Sequence, residues 1–255
     1  MDFRNFNLAT VLCILFVSFL LDPVHAATNS NVEATHSKLS RHGRSLRMNK
    51  SWTKSSYGVV FVYANSFNQH EQHKIKVAAG EIRKHSCIPI VLLSESQWNT
   101  QSRRYPHYVF IEKNRAVGCG QALVGMRGGF QLLTLSPDPR CLTVVTIMHE
   151  MMHTLGIEHE QSRPDRNQYI HIHNPNIQTG YQNVFNIAYG TTAYGPYDFD
   201  SVMHYGRYAF SSSPNHLPTL SSKVPGYFVP AYENSNLSDW DKRKINIITG
   251  CQADS

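Results

Sequence analysis

Residues 149–159 read HEMMHTLGIEH. His149 and His153 stand four apart, so on a helix both imidazoles project from one face and can hold the same cation. Glu150 follows the first histidine. From there a carboxylate can reach a water on that cation without joining the ligand set, as a general base must. Gly156 accepts the left-handed backbone that ends a helix, after which the chain turns and brings back His159 as a third ligand. Three imidazoles beside a carboxylate suit zinc and hydrolysis. An iron site of two histidines and one carboxylate would need a ligating acid, and Glu150 points off the ligand face. A thiolate site would need CxxC spacing, which the cysteines lack.

A second piece follows at residues 201–206, SVMHYG. Alone, a methionine in a loop is packing. Beside HExxHxxGxxH it completes the metzincin signature, whose partner is a tight Met-containing turn under the zinc. Met203 is expected as an apolar floor below the histidines, with the Tyr205 phenol pointing toward the metal. His204 is left as a non-ligand, since three places are already filled.

The elements that must position these groups divide the chain into two halves. Residues 58–67 are β-branched and aromatic and predict a strand. Residues 71–87 place Ile75, Val77, Ala78 and Ile82 at three- and four-residue spacing, which predicts an amphipathic helix on a sheet. Strands are expected over 88–93 and 108–113, and two short ones within 118–135 around Gly128 and Gly129. The segment ending in the histidine motif is apolar nearly all round, the pattern of a buried helix. After residue 160 the chain is rich in Asn, Pro, Gly and Tyr with little period. That half should be mostly loop, with one late helix over 239–249.

Residues 1–26 carry Arg4, an apolar run over 8–21 and a small-x-small end at Ala26, the pattern of an export signal. Beyond it lie Cys87, Cys119, Cys141 and Cys251, an even number in a secreted chain. Two disulfides are expected, with three pairings open. Residues 27–47 are polar and end in RHGRSLR, two overlapping Arg-x-x-Arg sets of the kind that closes a pro-segment. The expected domains are therefore a signal at 1–26, a pro-segment at 27–47 and one catalytic domain at 48–255. The net charge is +6, without a dense basic face carrying interleaved aromatics, so nucleic acid is not an expected partner. Stable membrane insertion is not expected either, because the apolar run is short for a span. Asn49 and Asn236 begin glycosylation sequons.

Over residues 52 to 251 the chain resembles the astacin branch of the metzincins. The likeness rests on HEMMHTLGIEH, on Glu160 directly after the third histidine, on RPDRNQYI, and on YDFDSVMHYGRYAFS. The resemblance implies an α+β fold: a five-stranded mixed sheet with two long helices in the N-terminal half, an irregular C-terminal half, and a cleft between. It implies one Zn²⁺ on His149, His153 and His159, and Tyr205 as a fifth ligand that swings away to stabilise the oxyanion. It also implies Glu160 as the buried partner of a new amino terminus, and Gly118, Cys119, Gly120 and Gln121 as the edge strand on which substrate pairs. The disulfides it implies are Cys87 with Cys251 and Cys119 with Cys141. The chain departs from the family in having no Asp in residues 27–47 and in carrying Gly120 where Trp often stands. The function expected is a secreted, monomeric zinc endopeptidase acting on proteins or peptides, with Glu150 as general base. The alternative is a secreted binding or matrix protein on the same scaffold; such scaffolds usually lose a ligand or the base, and here all are present.

Overall fold

Val59, Phe61 and Tyr63 of strand β1 (Val59–Tyr63) face one apolar cluster, while Val60 and Val62 face another. A strand buried on both faces is a central strand, and β1 lies inside a five-stranded sheet. In the computed structural model, which describes residues 46–47, 51–231 and 235–251, the strand order is β2-β1-β3-β5-β4. The other strands are β2 (Ile90–Ser94), β3 (Tyr108–Lys113), β4 (Gly120–Ala122) and β5 (Phe130–Leu135). β1 pairs in parallel with β2 and β3, and β3 with β5; β4 alone runs antiparallel, at the edge. The expected mixed sheet is present.

Helix α1 (Gln69–Lys84) begins at a capping box in which Asn68 and Glu71 bond each other's backbone N–H groups. Its buried face is Ile75, Ala78, Ala79 and Ile82. Val77 does not belong to it and is exposed; two residues beyond Ile75 is more than half a turn, which faces away. Helix α2 (Glu95–Gln101) is an element the sequence pattern does not predict. It places Trp98 against Tyr108 on the sheet's other face. Helix α3 (Val144–Leu155) carries the histidine motif. Residues 147–155 are all buried, as an all-round apolar helix requires, and α3 shares the main core with α1.

The predicted strand over 58–67 stops at Tyr63, and the chain then turns into the Asn68 cap. The strand predicted from residue 88 begins at Ile90, one residue after Pro89, whose ring nitrogen cannot donate to a ladder. The second half consists of short 3-10 turns, a two-stranded sheet of β6 (Ile170–Ile172) and β7 (Leu220–Ser222), and helix α4 (Asp239–Ile248). A separate cluster containing Ile170, Phe185, Tyr197, Tyr205, Phe210 and Leu220 forms its core. Disulfides join Cys87 to Cys251 and Cys119 to Cys141. Among the described residues, no helix is long and apolar enough to cross a membrane.

The export-signal and glycosylation readings at residues 1–26 and Asn49 lie outside the described residues, as does most of the expected pro-segment. Asn236 is exposed. Leu46 and Arg47, read from sequence as the end of the pro-segment, are packed into the fold.

Candidate metal centre

Helix α3 starts where the Thr143 hydroxyl accepts from the Thr146 backbone N–H, and ends at Gly156, whose φ of 114° suits glycine. Within that span His149 and His153 share a face. The turn after Gly156 brings His159 to them. His159 Nε2 lies 3.2 Å from His149 Nε2 and 3.2 Å from His153 Nε2. Ligands at 2.0–2.1 Å in a tetrahedral set stand about 3.3–3.4 Å apart, so the spacing fits one zinc ion.

Protonation fits as well. His149 Nδ1 donates to the Val202 carbonyl at 2.8 Å, and His153 Nδ1 donates to the Ile157 carbonyl at 2.8 Å. In a neutral imidazole the proton is then on Nδ1, and the Nε2 lone pair faces the centre. Burial, and next the His153 ring, pushes the His149 pKa down to about 3. Burial pushes His153 down to about 4. Burial together with His153, His149 and His204 holds His159 well below the usual histidine range. All three are neutral at neutral pH, the form that binds a metal. Bare lone pairs facing each other at this distance repel, and a cation between them relieves that. Among the described residues, these three form the metal-competent cluster.

Glu150 is buried on the same helix. Its side chain lies against Gly120 of edge strand β4: a Cβ at residue 120 would sit 2.7 Å from both Glu150 Cγ and Oε1. Gly120 therefore acts here through the space it leaves, and the carboxylate occupies that space. Of the four residues expected on the edge strand, Gly120 and Gln121 lie in β4, while Gly118 and Cys119 precede it; Cys119 and Gly120 are buried, and Gly118 and Gln121 are half-buried. Among the described residues, only one side of β4 is paired, with β5.

The Met-turn is tied down from three directions. Glu160 N–H donates to the Met203 carbonyl at 2.9 Å, and Tyr205 N–H donates to Gln161 Oε1 at 3.0 Å. Asp241 of α4 accepts from the Ser201 hydroxyl at 2.6 Å and the Val202 N–H at 2.9 Å. The chain of contacts from Asp241 through Val202 to His149 thus orients a ligand from a different helix. Met203 is fully buried in the main core. The Tyr205 ring lies 4.6 Å from that of His159 and 5.5 Å from Phe210, which has a φ of 54°, an outlier for a bulky residue. His204 is turned away from the centre. Its Nδ1 donates to the Tyr205 carbonyl at 2.7 Å, leaving Nε2 to accept from the Tyr197 hydroxyl at 2.9 Å.

Glu160 is fully buried, and among the described residues of the uncut chain the cations at it are side chains. Oε1 accepts from Arg163 at 2.7 Å and from Asp198 N–H at 2.9 Å; Oε2 accepts from Lys244 at 2.7 Å. Sequence reasoning missed Asp241, Gln161, Arg163 and Lys244. One signal was present: Ser238 and Asp241 form a capping box at the start of α4.

The motifs that build this centre also relate the chain to known proteins. The family model for astacin, described as a peptidase family, matches residues 45–249. Astacin-like metalloprotease toxin 2 of Loxosceles intermedia is 34% identical over 180 residues, covering 69% of this chain and 66% of that protein's length. High choriolytic enzyme 1 of Oryzias latipes is 32% identical over 204 residues, covering 79% of this chain and 70% of the relative. The solved structure of that hatching-enzyme zinc protease matches with a TM-score of 0.65 at 27% identity, covering 80% of this chain and 96% of the other.

Proposed function

This chain belongs to the astacin family of zinc metalloendopeptidases, and from that premise we propose that it is secreted and hydrolyses internal peptide bonds of proteins with Glu150 as general base. The observation that carries the reading is the convergence of three neutral imidazole Nε2 atoms beside a buried carboxylate. His149, His153 and His159 would hold zinc, which when bound polarises a carbonyl and lowers the pKa of water toward neutrality.

The remaining steps belong to side chains. Glu150 takes a proton from the attacking water as its oxygen bonds to the carbonyl carbon. It returns that proton to the nitrogen as the C–N bond breaks. Tyr205, held at its backbone by Gln161, donates its phenolic hydrogen to the carbonyl oxygen as charge develops there. Gly120 and Gln121 offer the open side of β4, where an extended substrate adds as a further strand, and Gly118 and Cys119 lead into it. That addition would draw the scissile bond past Glu150, because Gly120 and Glu150 are in contact range. Two disulfides and the export-like first residues support secretion.

The test is digestion of a generic unfolded protein by the secreted chain. Internal fragments are expected from the start of the reaction. Release of single terminal residues, or intact substrate after prolonged incubation, would contradict the proposal.

A further inference from the structure

Two overlapping sets, Arg41 with Arg44 and Arg44 with Arg47, can each serve a processing protease that reads arginines at the first and fourth places before the cut. Spacing does not choose between them, but the packing of the residues around the second set does.

Leu46 is 2% exposed. It makes β-bridges to both Ile157 and Thr192, and its N–H donates to the Thr192 carbonyl at 3.3 Å. Arg47 N–H donates to the Gly156 carbonyl at 3.0 Å, and Arg47 Nε pairs with Glu158 Oε1 at 2.8 Å. The two residues therefore grip Gly156, Ile157 and Glu158, the turn that brings His159 back to the centre. The same turn supplies the Ile157 carbonyl that orients His153. Further along, the Ser51 hydroxyl donates to the Ile248 carbonyl and Trp52 Nε1 to the Thr154 carbonyl.

A protease binds the residues before its cut in an extended, accessible form, and susceptibility follows burial and hydrogen bonding of the affected backbone. A cut after Arg47 would first require pulling Leu46 from the core, breaking two backbone bonds and separating an ion pair. It would also detach the strap from the domain it braces. A cut after Arg44 leaves the Leu46 and Arg47 contacts with the domain that holds them.

We infer that activation hydrolyses the Arg44–Ser45 bond, and that Leu46 and Arg47 stay with the catalytic domain as a strap on the His159 turn. Water's hydroxyl goes to the Arg44 carbonyl carbon, and its proton goes to the Ser45 nitrogen. The pro-segment then ends at Arg44, three residues earlier than the composition suggested.

The full chain is expressed in secreting cells that contain such a protease, and the N-terminus of the product is read by mass. This readout is independent of any activity of the chain itself. Wild type is expected to begin at Ser45. Arg41→Ala, which damages only the first set, is expected to remain uncut. Arg47→Ala is expected to be cut normally, as is Arg47→Lys, which keeps a cation for Glu158. A product beginning at Met48, a cut that survives Arg41→Ala but fails in Arg47→Lys, or a wild-type chain secreted uncut would overturn the inference.

Discussion

Glu150→Ala is expected to keep zinc at the wild-type level while kcat falls by about 10²–10⁴-fold, the range for loss of a positioned general base. The two effects separate because the ligands and the base are distinct groups. The three Nε2 atoms converge without Glu150, and the Val202 and Ile157 carbonyls orient His149 and His153. Nothing in that ligand geometry changes when the carboxylate is removed. KM should move little, since the unpaired side of β4 is retained. Zinc content by elemental analysis and turnover on an unfolded protein measure the two effects independently. Loss of zinc together with activity would place Glu150 in the ligand set, and a wild-type rate would remove it from the mechanism.

The second large effect is on stability. Lys244→Met is expected to destabilise the fold by about 3–5 kcal/mol, on the order of 10 °C in Tm. Lys244 and Glu160 are both fully buried and 2.7 Å apart, so removing the ammonium leaves a desolvated carboxylate with one cation fewer. Adding Glu160→Gln should recover part of the loss, because the amide oxygen can still accept from Arg163 without a charge to compensate. Acid should act on the same pair. Burial alone would raise the Glu160 pKa, but Lys244 and Arg163 outweigh it and hold the carboxyl below its usual value. Its contribution to stability is therefore present above the unfolded carboxylate pKa and lost as pH falls through the lowered folded one. Equilibrium unfolding of the single and double variants measures these differences; a Lys244→Met chain as stable as wild type would contradict them.

The sequence disclosed most where local spacing maps directly onto geometry. His149 and His153 are one helical turn apart, Gly156 marks the helix end, and β-branched runs mark the central strands. These are short-range rules, and the centre they describe lies largely within residues 149–159. The supporting groups were hidden because they act across the chain. Lys244 is 84 residues from Glu160, and Asp241 is 39 from Val202. A lysine on a late, charged helix reads as solvated, and only the tertiary fold buries it. Helix α2 escapes the pattern because it is seven residues long and mostly polar, although Ser94 and Gln97 form a capping box that could have announced it. Leu46 reads with its polar neighbours, and no composition rule marks one leucine beside a basic run as core. Gly120 stands out in sequence as a missing wall; its contact with Glu150 depends on how β4 lies over α3, which periodicity does not contain.

The central claim is that zinc on His149, His153 and His159 makes this chain a peptidase. Its most direct test is proteolysis of an unfolded protein by the secreted, processed chain after chelation, then after return of one equivalent of zinc. Cleavage is expected to disappear with the metal and return with it while the fold, followed by circular dichroism, persists. Cleavage that continues in the metal-free chain, or a folded, zinc-loaded chain that never cleaves, would contradict it.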